Sequence, residues 1–308
     1  MLTTMLTRDE VIWGYRYILG REPESEAVIA QHIASVADWP ALRHSMLKLS
    51  EFHWLRTAKN LRSQWVVSEI LGGRLIWLDL NDKYVSAGCL HNNYAPHGTA
   101  LIRQYLRPDS VFLDIGANIG WFTLLASTLI GPAGHIHAFE PQRPVVDYLR
   151  RSIALNGLEE RVTVHGFALD AAPGEGHLGR MPRERNLGHA FLTAASAPGV
   201  ETHPVSLQTL DSLALDRVDF IKIDVEGAEM RVMSGAQATL TAHRPVIFTE
   251  LFPKQLRKVS NVSAAEFIAW FTARGYRAVI AESPHDEIHD FPANSGETLI
   301  DILLLPRP

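Results

Sequence analysis

The residues able to do chemistry fall in two clusters. The first is the string DIGANIG, Asp114 to Gly120, which closes the short apolar run Val111–Ile115, with Glu140 twenty residues after Gly120 in HAFEP. The second is DFIKIDVEGAE, Asp219 to Glu229, followed by Glu250 in FTEL. A glycine turn between a strand and a helix lets a ligand approach the backbone at Gly116 and Gly120, and a helix starting at Trp121 offers unpaired N–H groups.

The spacing of that turn selects the ligand. A dinucleotide turn needs G-x-G-x-x-G and a phosphate loop needs G-x-x-x-x-G-K-[ST]. Here the glycines stand four apart and a carboxylate, Asp114, precedes them. A carboxylate repels phosphate but suits the ammonium and sulfonium of S-adenosylmethionine. Glu140, at the end of the next strand, is placed to accept hydrogen bonds from a ribose diol. The turn reads as a methyl-donor site.

In the second cluster, two-residue periodicity sets Phe220, Lys222 and Asp224 on one strand face and Ile221 and Ile223 on the other. A lysine inside a buried strand is costly unless paired, and Glu250 on the neighbouring strand is the expected partner. Asp224 ends its strand at the carboxyl edge, where open α/β sheets bind ligands. Glu226 follows in the turn, and Glu229 shares a helical face with it. Such carboxylates can bind hydroxyls or take up a proton; equally, they can be a structural ion pair and a helix N-terminus that favours acids. Asp224, Glu226 and Glu250 could converge on a hard divalent ion such as magnesium, but no metal is assigned.

These residues need an alternating scaffold. Strands are expected at Val111–Ile115, His135–Phe139, Val162–His165, Phe220–Asp224, Val246–Glu250, Tyr276–Ile280 and Leu299–Leu304. Helices are expected from Trp121 and near Pro144–Asn156, Ala228–Leu240 and Ala264–Arg274, with a short one over Leu210–Leu215. The alternation predicts an α/β fold with a mostly parallel sheet and right-handed crossovers. The stretch from Asp170 to Pro204 reads as a β-rich insertion over the carboxyl edge, where long loops build substrate sites.

Upstream, residues 1–71 read as a small all-α module, followed by an α/β domain over 72–308. Thr7–Glu10 fits a capping box before Val11, Tyr15, Ile18 and Leu19, and Gly20 closes that helix. Further helices carry Val28, Ile29, Ile33 and Val36, and then Leu42, Met46 and Leu47. A fourth runs from Ser50 through Trp54, Leu55 and Leu61 toward Ile70, which Gly72-Gly73 ends. Leu75–Leu78 and Tyr84–Ser86 read as a hairpin turning at Asn81-Asp82, before a polar loop with His91 and His97. Docking, dimerisation, substrate delivery and plain packing all suit the small module.

The 308 residues are 46% hydrophobic and 20% charged, with net charge −5, which describes a globular protein without the basic footprint of a nucleic-acid binder. The single cysteine, Cys89, allows no internal disulfide and suits a reducing, cytoplasmic compartment. The N-terminus is not a signal peptide, and no apolar run is long enough to span a bilayer. Peripheral membrane docking and a homodimer are both compatible with this composition.

DIGANIG, AFEP, the LNG of Leu155–Gly157, IKIDVEGAE and RPVIFTEL occur in the order and spacing of the FkbM-type methyltransferases, which the stretch from about Asp79 to Pro306 resembles. The resemblance implies a class I methyltransferase fold, Rossmann-like with a seven-stranded sheet whose last strand is antiparallel, and an S-adenosylmethionine-dependent O-methyltransferase. It implies that Asp114, Gly116, Asn118 and Gly120 shape the methionine end of the pocket, with Ala117, Trp121 and Pro141 among its residues. Glu140 would hold the ribose, and Phe167 and Ala168 would flank the adenine. Asn186–Gly188 resembles a family N-x-G patch. Members often carry Tyr-Glu upstream of the first strand, whereas this chain has Tyr94-Ala95.

The expected reaction moves a methyl group to a hydroxyl of a sugar, glycan or other small natural product. Asp224, with Glu226 or Glu250, serves as base or orienter beside Lys222; His189, His91 and His97 are alternative bases. N-methylation of an amine and a scaffold that binds S-adenosylmethionine without turnover are the rival readings.

Overall fold

A computed structural model describes residues 6–19, 21–52, 65–181, 186, 188–196, 198–288 and 298–307. The chain forms two compact units, Met1–Tyr94 and Ala95–Pro308.

In the first unit, α1 (Arg8–Gly14) starts with the Thr7–Glu10 capping box and runs into a π-helical turn at Tyr15–Leu19. Ser25 and Asp38 cap α2 (Glu26–Ser35) and α3 (Trp39–Leu47), where Asp38 accepts the Ala41 N–H at 2.9 Å. Val11, Tyr15, Leu19, Leu42 and Met46 are buried, as the apolar stripes require. The unit is not all-α. Trp65–Ile70 forms β1 instead of ending a helix, and it pairs antiparallel with β2 (Arg74–Asp79) across a tight turn closed by Gly73 N–H on the Ile70 carbonyl. Adjacent β-branched Val66 and Val67 favour this strand. The segment expected to complete the hairpin is instead α4 (Val85–Leu90). The buried Asp82 carboxylate accepts the N–H groups of Tyr84 and Ser86 at 3.0 and 2.6 Å, so it starts a helix rather than turning a hairpin. Gly20 and the helical stretch expected through Trp54, Leu55 and Leu61 lie outside the described residues.

The second unit opens with α5 (Pro96–Tyr105) and then alternates. Its first half comprises β3 (Val111–Ile115), α6 (Trp121–Ser127), β4 (His135–Phe139), α7 (Arg143–Leu155), β5 (Val162–His165) and β6 (Ala168–Leu169). Next come β7 (Gly174–Arg180), β8 (Phe191–Thr193) and β9 (Glu201–Gln208) of the insertion, with a 3-10 turn at Asp211–Leu213. The second half comprises β10 (Phe220–Ile223), α8 (Glu229–Ser234), α9 (Gln237–His243), β11 (Val246–Leu251), α10 (Pro253–Ser260), α11 (Ala264–Thr272), β12 (Tyr276–Ile280), β13 (Ser283–Glu287) and β14 (Ile300–Pro306).

The main sheet has the order β13-β12-β14-β11-β10-β3-β4-β5. The ladders from β11 through β10, β3 and β4 to β5 are parallel, and β14 enters antiparallel between β11 and β12. This is the expected class I arrangement with one strand more, because the chain turns back after Ile280 and adds β13 at the edge. Every residue of β10 is buried, which accounts for its unbroken apolar run around Lys222. The insertion is a four-stranded sheet ordered β6-β9-β7-β8.

One expected helix is two. The Asp211 carboxylate accepts the N–H groups of Ala238 and Thr239 at 2.9 and 2.8 Å and starts α9 separately from α8.

Candidate active site

The carboxyl ends of β3, β4, β10 and β11 bring the two sequence clusters together. Gly116 adopts φ 76° and Gly120 φ 98°, both in the left-handed region. The missing side chains serve the protein's own packing. A Cβ on Gly116 would collide with the Asp224 carbonyl, and one on Gly120 with the Leu149 side chain of α7.

The turn's N–H groups are also spent internally. Gly116 and Ala117 donate to the Phe139 carbonyl at 3.0 and 2.9 Å, and Gly120 donates to the Ala117 carbonyl at 2.9 Å. Ile119 N–H goes to Asn118 Oδ1 at 2.7 Å and Asn118 N–H to Glu140 Oε2 at 3.0 Å. The turn's own N–H groups, from Gly116 to Gly120, are therefore all taken up within the protein. What remains around it are carboxylates, a donor set that suits a cation and not a phosphate.

Asp114 is fully buried; Thr123 donates to its Oδ2 at 2.6 Å, whereas its Oδ1 has no hydrogen-bond partner. Burial raises the Asp114 pKa above the usual carboxylate range. Glu140 is buried at the end of β4, one oxygen accepting from Asn118 N–H and the other from Gln142 N–H at 2.8 Å. Each oxygen keeps a lone pair for a hydroxyl donor. Burial pushes this carboxyl up to about 7.

Lys222 lies between the clusters. Its Nζ donates to the Gly116 carbonyl at 2.9 Å and stands 3.6 Å from Asp114 Oδ1, 3.9 Å from Asp224 Oδ2 and 5.3 Å from the Phe122 ring centre. Its ion-pair partners are thus Asp114 and Asp224, not the expected Glu250. Register explains the difference: Lys222 pairs with Phe248 on β11, which leaves Glu250 two residues further along. At 4% exposure Lys222 is held within the framework that joins the two turns.

The acids after β10 divide. The Asp224 side chain is 33% exposed. Glu226, at φ 54°, accepts from Gln255 Nε2 of α10 at 2.8 Å. Glu229 is buried and accepts the N–H groups of Val225 and Gly227 at 3.1 and 3.2 Å, so it shapes the turn from within; burial pushes it up to about 7. Burial, with Asp224 and Asp301 nearby, pushes Glu250 up to about 8. Asp301 is the register partner of Glu250 on β14. A lone acid within Ile300–Pro306 was the sequence signal for it. Among the described residues, no group of three or more His, Cys, Asp or Glu side chains forms a metal-ligand set.

The remaining expected residues lie around this centre. Trp121 is buried at the start of α6 with its indole N–H on Thr99 Oγ1 at 3.0 Å, leaving its backbone as what it can offer a ligand. Pro141 follows Glu140 at the end of β4. The Phe167 ring lies 6.0 Å edge-on from Phe139 and 5.4 Å from His165, while Ala168 is buried in β6 beside Leu207. Of the alternative bases, His97 stands 3.6 Å from Glu282, His189 lies in the insertion and His91 belongs to the first unit.

A groove of about 480 Å³ opens between the insertion and helices α8 and α10, lined by His177, Phe191, Thr193, Arg231, Lys258 and neighbours. Lys258 Nζ sits 4.4 Å over the Phe191 ring. Arg231 forms a two-pronged ion pair with Asp170, its Nε at 2.9 Å from Oδ1. The same α10 reaches the acid turn through Gln255, and through Ser260 Oγ, which donates to the Gly227 carbonyl at 2.6 Å.

Residues 114–278, more than half of the chain, match the methyltransferase FkbM domain, and the chain belongs to that family. It is 29% identical over 187 residues to AMB antimetabolite synthetase AmbE of Pseudomonas aeruginosa, covering 49% of this chain and 9% of that protein. It is 30% identical over 161 residues to methyltransferase sdnD of Sordaria araneosa, covering 42% and 61%. It is 28% identical over 240 residues to 31-O-demethyl-FK506 methyltransferase FkbM of Streptomyces tacrolimicus, covering 65% and 84%. The matches span less than two thirds of the first two relatives. Among solved structures, methyltransferase FkbM of Methylobacillus flagellatus aligns over 94% of this chain and 58% of its own at 14% identity and a TM-score of 0.43. The family is one of methyltransferases, with S-adenosylmethionine as the cofactor. Among the described residues no helix is long and apolar enough to cross a membrane.

Proposed function

We propose that this chain transfers a methyl group from S-adenosylmethionine to a hydroxyl of a sugar, glycan or other small natural product. The observation that carries the reading is the donor turn: its N–H groups are consumed internally, and buried carboxylates at Asp114 and Glu140 surround it. When bound, S-adenosylmethionine supplies a methyl group already activated on its sulfonium. Asp114 and the turn Gly116–Gly120 would hold its methionine end, Glu140 its ribose diol, and Phe167 its adenine.

The chain's own part is to orient the acceptor and take its proton. Asp224, partly exposed and ion-paired to Lys222, is the carboxylate an incoming hydroxyl can reach, and the proton leaving the oxygen goes to it. Glu250, raised to about 8, carries its proton near neutral pH and donates a hydrogen bond to the same acceptor. The groove beside α10 receives the remainder of the acceptor; its volume is that of a small-molecule site. The name of the FK506 relative refers to an oxygen, which supports O-methylation. The carboxylate cluster also suits a cationic amine, the second reading.

The test is calorimetric titration with S-adenosylmethionine and with NAD, followed by a methyl-transfer screen of glycans, nucleotide sugars, polyketides and amines. Binding of the methyl donor alone and transfer to hydroxyl acceptors are expected. Absence of donor binding overturns the reading, transfer only to amines overturns O-methylation, and binding without any transfer leaves a scaffold.

A further inference from the structure

Glu250 and Asp301 are register partners on the antiparallel strands β11 and β14. Residues directly opposite in such a ladder share a sheet face, with Cβ atoms about 4.5–5.5 Å apart. Two carboxyl groups so placed repel when both are charged, and both residues are half-buried. A like-charged pair of this kind relieves itself by keeping one proton.

The groups facing the pair make that outcome stronger. Asp224 and Glu226 face Glu250 from the turn after β10, and Lys222 on β10 is the cation opposing them. Asp301 feels the charges of Asp224, of Glu282 from the β12–β13 turn and of His97 from α5. Lys222 is already engaged by Asp114, Asp224 and the Gly116 carbonyl, and His97 stands 3.6 Å from Glu282.

We propose that Asp301 is a positioning residue for Glu250: its charge keeps the pair's one proton on Glu250, which makes Glu250 a neutral hydrogen-bond donor to the acceptor oxygen beside the ion-paired Asp224. The proposal rests on the functional reading above. It assigns Asp301 a role without contact to the acceptor. The proton is not consumed, because the one released by the acceptor hydroxyl goes to Asp224.

The test is NMR titration of the full-length chain carrying 13C-labelled glutamate side chains. The wild-type Glu250 carboxyl, identified by its absence in Glu250→Gln, is expected to titrate near 8. In Asp301→Asn that midpoint falls by at least about one pH unit, whereas Asp301→Glu keeps it high. A Glu250 that titrates near the ordinary carboxyl value of about 4.3, or that ignores Asp301→Asn, overturns the pair. If Asp301→Asn does not fold, the reciprocal experiment decides: in Glu250→Gln the 13C-labelled Asp301 carboxyl must titrate lower than in the wild type. Activity gives a further readout, because Asp301→Asn shifts the pH profile of kcat downward without changing KM for S-adenosylmethionine. The titration needs neither donor nor acceptor. A wild-type chain that shows it but transfers no methyl group overturns the functional reading and leaves the pair intact.

Discussion

Lys222 Nζ donates to the Gly116 carbonyl at 2.9 Å, so a side chain of β10 grips the turn that ends β3. The same ammonium faces Asp114 and Asp224. One buried cation thus ties the donor turn to the acid turn. Lys222→Met is expected to destabilise the protein by about 3–5 kcal/mol, because it leaves buried Asp114 unpaired. Lys222→Met combined with Asp114→Asn should recover a large part of that loss in denaturant unfolding. Two independent, additive losses would show that the residues do not act as a pair.

Asp114→Asn and Glu140→Gln test the donor pocket. Each is expected to weaken S-adenosylmethionine binding at least about tenfold, the scale of one charge-assisted hydrogen bond. Calorimetry checks this, with circular dichroism verifying the fold. Unchanged affinity in both would move the donor site elsewhere.

Asp224→Asn separates binding from chemistry. Donor affinity should stay within a few-fold while transfer slows by roughly 10²–10⁴, the range for loss of a general base. Near-normal turnover would reassign the proton acceptor.

Phe191→Ala and Lys258→Ala probe the groove. Both should raise KM for the acceptor, with kcat and donor affinity held, because the groove residues stand apart from the donor turn. A change in donor affinity alone would argue against an acceptor subsite.

Glu140, Glu229 and Glu250 are raised by burial to about 7, 7 and 8. In each case the folded state holds a proton that the unfolded chain releases near pH 4.3–4.5. Their contribution to stability is therefore complete below that range and is lost as pH rises through 7–8. The melting temperature of Glu229→Gln should fall less between pH 6 and 9 than that of the wild type, as measured by thermal scans across that range.

Much of this was written locally in the chain. β3, β4, β5 and β12 fall where the sequence places them, and β3, a central strand buried at four of its five residues, shows the nearly unbroken apolar pattern that burial on both faces leaves. DIGANIG and DVEGAE announced the two turns. The partner of Lys222 was not legible, because it depends on the register between strands distant in sequence. Asp301 stayed hidden for the same reason: its role exists only once β14 returns antiparallel beside β11. The groove also depends on α10, a helix the sequence reading did not assign. In the first unit, Asp82 looked like a turn residue, and only its burial and two accepted N–H groups show that it starts a helix.

The close approach of Gly116 to the Asp224 carbonyl has a consequence for how such an enzyme can diversify. No side chain fits at position 116 without moving the acid turn, so the two turns can change only together. Under the proposed function, substitutions in β11, β14, α10 and the insertion are the ones expected to alter what is methylated while leaving the Gly116 turn undisturbed.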